Sequence, residues 1–205
     1  MEDQSAKGVL LSAVVEHFAR QGLADQSLRH IAAAVGSSHR MLLYHFGSKD
    51  GLLVEVVRAV EERTRVLFGA ISADSGGASD EVIRRVWAHV ADPALSSYER
   101  LFFALYGRAL QGDPAIAPLW RGELETWLEA NAVLAAAQGV SAELARTHAR
   151  LGLAVIRGLL LDLLATGDRA GADAALEAFA SRYAGRWWEP QAAGGDASAV
   201  KARAS

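Results

Sequence analysis

One short stretch near the N-terminus carries side chains suited to reading a nucleic acid. Ser37, Ser38, His39 and Arg40 stand in a row at the start of a short helix that runs to about Tyr44. Hydroxyl, imidazole and guanidinium groups in the first turn of a helix can reach base edges in a DNA major groove. The free backbone N–H groups of such a helix end also attract phosphate. From Ser27 to Lys49 the chain carries Arg29, Arg40 and Lys49 and no Asp or Glu, with His30, His39 and His45 in the same stretch. The net charge of the whole chain is −3. A local cationic face on an acidic protein fits a nucleic-acid-binding module joined to a domain of another kind. Bland readings stand beside these: Arg29 as a solvated helix residue, and His45 as a packing group between helices. Lys49 opens a helix, where the dipole disfavours a cation, so a nearby phosphate explains it better than helix stability does. His39 and His45 lack a cysteine or carboxylate to complete a metal site, and none is expected there.

These side chains need a scaffold, and the local pattern supplies one. A first helix is expected from about Ser5 to Gln21, with Val9, Leu10, Ala13, Val14, His17 and Phe18 at helical spacing and Gly22 as its stop. Ser27 reads as the N-cap of a second helix whose buried side is Ile31, Ala34 and Val35. Gly36 supplies a turn residue that tolerates positive φ, and Ser37 or Ser38 caps the third helix, anchored inward by Leu42 and Phe46. Gly47 and Ser48 stop that helix, and Ser48 caps a long fourth one reaching about Ile71. Two short helices joined by a glycine turn form a helix-turn-helix.

The rest of the chain also reads as helix, so the fold class is all-α. Ser72 to Ser79 is a polar loop, followed by helices at about Asp80–Ala91, Leu95–Gln111, Ile116–Gln138, Ala142–Thr166 and Ala172–Trp188. Pro190 ends regular structure, and residues 190–205 are expected to be disordered. The 205 residues are 51% apolar and 22% charged, enough to bury a sizeable core. The absence of cysteine excludes disulfides, thiolate metal sites and cysteine nucleophiles. The longest apolar run, around Leu159–Leu161, is broken by Arg157 and Asp162, and Met1–Lys7 does not resemble a signal peptide. No membrane association is expected, and a cytoplasmic location is. No nucleophile–base pair or phosphate loop stands at workable spacing, since Gly76-Gly77 lacks a following Lys-Ser/Thr. No catalytic residue, cofactor or metal, and therefore no enzyme, is expected.

The run Ser27-Leu28-Arg29-His30-Ile31-Ala32-Ala33-Ala34-Val35-Gly36-Ser37-Ser38, followed by Leu43-Tyr44-His45-Phe46-Gly47-Ser48-Lys49-Asp50-Gly51-Leu52, resembles the signature of the TetR family of transcriptional regulators. That signature joins a Thr/Ser-x-Arg-x-Ile-Ala start, an Ala-Gly-Val-Ser turn, a Tyr-x-His-Phe stop and a Ser-Lys-Glu-x-Leu opening. The sequence departs from it at Ser37, at Arg40-Met41 and at Leu43, all on the reading surface. The resemblance implies a DNA-binding domain over residues 1–65, with its helix-turn-helix at about 27–46. It implies a ligand-binding and dimerisation domain over residues 66–189, in which a helical bundle forms both the pocket and the dimer interface.

By resemblance, Ser27, Arg29, Tyr44, His45 and Lys49 lie near phosphates, and Ser38, His39 and Arg40, with Ser37 beside them, read bases. The last two long helices pair with those of a second subunit, for which Leu151, Val155, Gly158, Leu159 and Phe179 are the interface candidates. The aromatic group Trp87, Phe102, Phe103, Tyr106, Trp120 and Trp127 either lines an effector pocket or packs as ordinary core. His89, Arg108, Glu123, Glu125 and His148 are candidate polar handles in that pocket. The expected function is a homodimeric repressor, released from a near-palindromic double-stranded operator by a small apolar or aromatic molecule. An effector-independent regulator, an activator and, more remotely, a small-molecule enzyme are the alternatives.

Overall fold

The computed structural model describes residues 2–23, 26–74, 79–136 and 141–183. The expected tail 190–205 lies outside them. The described residues form α-helices throughout, with no strand: α1 (Glu2–Gln21), α2 (Leu28–Ala34), α3 (His39–Phe46), α4 (Lys49–Asp74), α5 (Ser79–Val90), α6 (Ser96–Leu110), α7 (Ala117–Ala136), α8 (Ala142–Thr166) and α9 (Arg169–Tyr183). Among the described residues no helix is long and apolar enough to cross a membrane.

Short polar side chains start these helices. The Ser27 hydroxyl accepts the His30 N–H at 3.3 Å, Ser38 accepts that of Met41 at 3.2 Å, Ser48 that of Gly51 at 2.9 Å and Ser141 that of Leu144 at 3.3 Å. Each hydroxyl satisfies a backbone donor that a helix start leaves without an intrahelical partner. Between α2 and α3, Gly36 sits at φ 68°. The Ser37 N–H donates to the Ala32 carbonyl at 2.8 Å and the Gly36 N–H to the Ala33 carbonyl at 3.3 Å. This closed turn aims α3 away from α2.

Several boundaries and faces differ from the sequence expectation. α4 continues past Ile71 to Asp74, and the expected polar loop shortens because α5 begins at Ser79. The stretch expected to start at Leu95 opens instead with one 3₁₀ turn, Pro93–Leu95, set by the Asp92 carboxylate accepting the Ala94 N–H at 2.9 Å. α9 starts at Arg169 and not Ala172, because Asp168 accepts the Gly171 N–H at 2.9 Å and caps the earlier turn. Val9 is 70% exposed, and Ala34 is exposed where the buried side of α2 was expected. Ile31 and Ala32, at 0% and 2%, take that inner face.

The apolar residues gather in two cores. The first joins Val14 and Phe18 of α1, Ile31 of α2, Leu42 and Phe46 of α3, Leu52, Leu53, Val56 and Val57 of α4, and Leu101, Phe102 and Leu105 of α6. α6 therefore completes the core on which the helix-turn-helix stands. The second joins α5, α8 and α9 through Ile83, Val86, Trp87, Val90, Leu160, Leu176 and Ala180. Phe103 packs against both. Polar clamps hold the second core together. Arg84 donates to both Glu177 carboxylate oxygens at 2.9 Å, and the Trp87 indole donates to Asp173 at 2.6 Å.

Candidate nucleic-acid interface and neighbouring cavity

α3 is held by its inner face and leaves its outer face to solvent. Leu42 and Phe46, one helical turn apart, are 0% and 7% exposed in the first core. Arg40, Met41, Leu43 and Tyr44 are exposed, and Ser37, His39 and His45 are half-buried at the edges. Ser38 is exposed with its hydroxyl committed to the α3 cap. Ser27 and Arg29, at the start of α2, are exposed, and Lys49 at the start of α4 is half-buried. The Tyr44 ring meets the His45 ring edge-on at 4.9 Å. α2, α3 and α4, whose starts carry these residues, all pack into the first core. No acidic residue occurs between Ser27 and Lys49. Such a surface offers cations and hydrogen-bond donors to an anionic, donor- and acceptor-rich partner.

The aromatic group does not form a single cluster. Trp87 is 4% exposed in the second core and Phe102 is 7% exposed in the first. Phe102 meets Phe103 at 5.1 Å and stacks with Tyr106 at 6.1 Å, while Trp127 stands apart against Phe68 at 5.3 Å. The side chain of Trp120 lies outside the described residues, as does that of the polar candidate Glu123. A cavity of about 50 Å³ lies between α1, α4, α5 and α6, touched by Val15, Val60, Thr64, His89, Tyr98 and Phe102. Among the candidates whose side chains are described, only Phe102 of the aromatic group and His89 of the polar ones reach it. Arg108 pairs with Asp113 at 2.5 Å, and Glu125 pairs with Arg146 at 2.5 Å, away from it.

The sequence reading missed the charged groups around this cavity. Arg63 and Glu99 line it, and the Arg63 guanidinium lies 4.4 Å from the centre of the Tyr98 ring. Burial pushes the Glu99 carboxyl up to about 7; the nearby Arg63 charge opposes this and Glu61 reinforces it. Burial and the same Arg63 charge hold His89 below the usual histidine range. No local motif marks these residues, because their significance arises only where α4, α5 and α6 meet. Among the described residues no group of three or more His, Asp or Glu is placed to hold a metal ion.

α8 presents a second feature. Leu144, Leu151 and Gly158 are exposed at seven-residue spacing, and Thr147, Ala154 and Leu161 are exposed on the alternate register. That is the two-register pattern of a helix seam. Of the interface candidates, Leu151 and Gly158 lie on this stripe and Val155 is half-buried beside it. Leu159 and Phe179 pack against the second core.

Comparison with known proteins agrees with this geometry. Residues 10–56 match the family described as bacterial regulatory proteins, tetR family. No curated protein matches the chain in sequence. Among solved structures, a transcriptional regulator from Rhodococcus sp. Rha1 superposes with a TM-score of 0.71 at 23% identity, over 86% of this chain and 94% of that one. A TetR transcriptional regulator from Legionella pneumophila gives 0.68 at 19% identity, over 86% and 95%. The multidrug binding protein EbrR, complexed with imidazole, gives 0.63 at 21% identity, over 88% and 90%. At these identities the likeness is one of fold.

Proposed function

We propose that this chain, whose residues 10–56 match the TetR family of bacterial regulatory proteins, is a homodimeric repressor released from its operator by a small molecule. The observation that carries the DNA-binding part is the outward face of α3. Its cap and glycine turn fix its direction, and its inner face is consumed by the core. Ser38, His39 and Arg40, with Ser37 beside them, read bases in this proposal, with Arg40 placed for a bidentate contact to guanine. Ser27, Arg29, Tyr44, His45 and Lys49 take phosphates and fix register. Residues 1–65 form the DNA-binding domain and 66–189 the regulatory one. The exposed α8 stripe, with α9, pairs with its copy in a second subunit, so the two heads meet a near-palindrome.

The effector site is the cavity beside Phe102. At about 50 Å³ it is smaller than a drug-sized ligand requires, so binding must part its walls. Those walls include Val15 of α1 and Val60 and Thr64 of α4, the helices that carry the reading head. A ligand that fits only the parted arrangement shifts the population toward it and away from DNA. The likeness in fold to a multidrug binding protein supports a small organic effector. The same small volume is the observation that favours an effector-independent regulator, the second reading.

Selection of the purified protein against a random duplex library, repeated with Arg40→Ala, tests the proposal. Enrichment of a near-palindrome whose specificity relaxes in the variant supports it, and no enrichment at low salt overturns it. Screening small organic molecules for release of that duplex then separates the two readings.

A further inference from the structure

Large apolar side chains exposed to solvent are few on the described surface, and they are unevenly placed. Met41 at 41%, Leu43 at 39% and Tyr44 at 68% all belong to α3, whereas Val9, Val66, Leu110, Leu144, Leu151 and Leu161 are spread over α1, α4, α6 and α8. α3 has only eight residues, so this is the densest such exposure among the described helices. Neither Met41 nor Leu43 is needed by the core, because Leu42 and Phe46 already fill it. At 100° per residue, Met41 and Leu43 stand on opposite flanks of Arg40. An isolated exposed leucine calls for no explanation, but apolar side chains on both flanks of an exposed guanidinium form a patterned surface. In a major groove the apolar group displayed by the bases is the C5-methyl of thymine, while an arginine matches guanine O6 and N7.

We propose that Met41 and Leu43 are base-reading residues that pack against thymine C5-methyl groups on either side of the guanine contacted by Arg40. This rests on the DNA-binding function proposed above and adds what each half-site contains. Specificity then comes partly from apolar contact, and a cytosine or uracil at those positions is disfavoured because it offers no methyl.

The test uses the full-length protein and the duplex enriched from the random library. Each thymine is replaced singly by deoxyuridine, which removes the methyl and leaves base pairing intact. The expected result is a loss of affinity of about fourfold, the worth of one buried methyl group, at each of two thymines in each half-site. Met41→Ala should abolish the sensitivity at one thymine and Leu43→Ala at another, each leaving the remaining profile as in the parent. Both side chains are exposed, so neither variant should lose the fold. An enriched duplex indifferent to every deoxyuridine, or variants that keep the parent profile, overturns this inference and leaves the DNA-binding function standing. Failure to enrich any duplex overturns both.

Discussion

The guanidinium of Arg157 on α8 lies 5.0 Å from the ring centre of Phe102 on α6. The same guanidinium reaches the Glu61 carboxylate of α4 at 4.0 Å. One cation therefore ties the helix that carries the exposed stripe to the helix that carries the reading head. Burial pulls Arg157 below the usual arginine range, and Glu61 holds it up. Removing either partner strands a buried charge, but a stranded carboxylate can take up a proton and a guanidinium cannot lose one, so removing the anion should cost more than removing the cation. Glu61→Ala is expected to destabilise by about 3 kcal/mol, and Arg157→Met by clearly less. Urea unfolding of both variants checks this, and the reverse order would refute it.

Glu99 should give stability a pH dependence. Its carboxyl sits at about 7 in the folded chain against 4.5 when unperturbed. Between those values the folded state holds a proton that the unfolded state has released, so stability falls as pH rises from 4.5 to about 7 and then levels. Glu99→Gln removes the titrating group. The gap in stability between Glu99→Gln and the parent should widen in favour of the variant across that window and stay constant above it. Denaturant melts at half-unit pH steps measure the gap, and one that does not vary with pH would rule this out.

Leu160 and Leu161 are sequence neighbours with opposite surroundings, 3% and 52% exposed. Leu160→Ala should cost about 2–5 kcal/mol, the usual cost of emptying a buried leucine site. Leu161→Glu should leave the fold intact and convert the dimer to monomer by placing a charge in the proposed seam. Light scattering and thermal unfolding of the two variants separate the effects. A dimeric Leu161→Glu protein would place the seam elsewhere.

Arg29 is exposed at the start of α2. Its proposed partner is a phosphate, so Arg29→Ala should weaken binding to all duplexes alike. The dimer loses one phosphate contact in each half-site, so the slope of log affinity against log salt should fall by about 1.8. Arg40→Ala should instead relax base preference at one position of each half-site. Salt titrations of both variants on matched and mismatched duplexes distinguish these roles. An Arg29 variant with an unchanged salt slope would remove it from the backbone contacts.

The three-helix head was legible in the sequence because its determinants are local. Ser27, Ser38 and Ser48 cap the helices they were expected to cap, Ser38 deciding between the two candidates for α3. Gly36 turns at positive φ where the glycine stop was read. Ile31, Leu42 and Phe46 point inward as their spacing required. Such features depend on a few consecutive residues and on backbone hydrogen bonds that must be satisfied wherever the segment sits.

The cavity was not legible, and neither was the fate of the aromatic residues. Trp87 and Phe102 both read as apolar and helical, yet they belong to different cores, and only Phe102 reaches the cavity. No local pattern marks Glu99, Arg63 and Glu61, which meet only where the helices pack. By itself the sequence determined the helices, their caps and the outward face of α3, since period and capping are properties of a short segment. Which helices pack, which rings line the gap between them and which charges lose their water were decided by tertiary structure alone. Those outcomes depend on distances between residues far apart in the chain, and no local pattern encodes them.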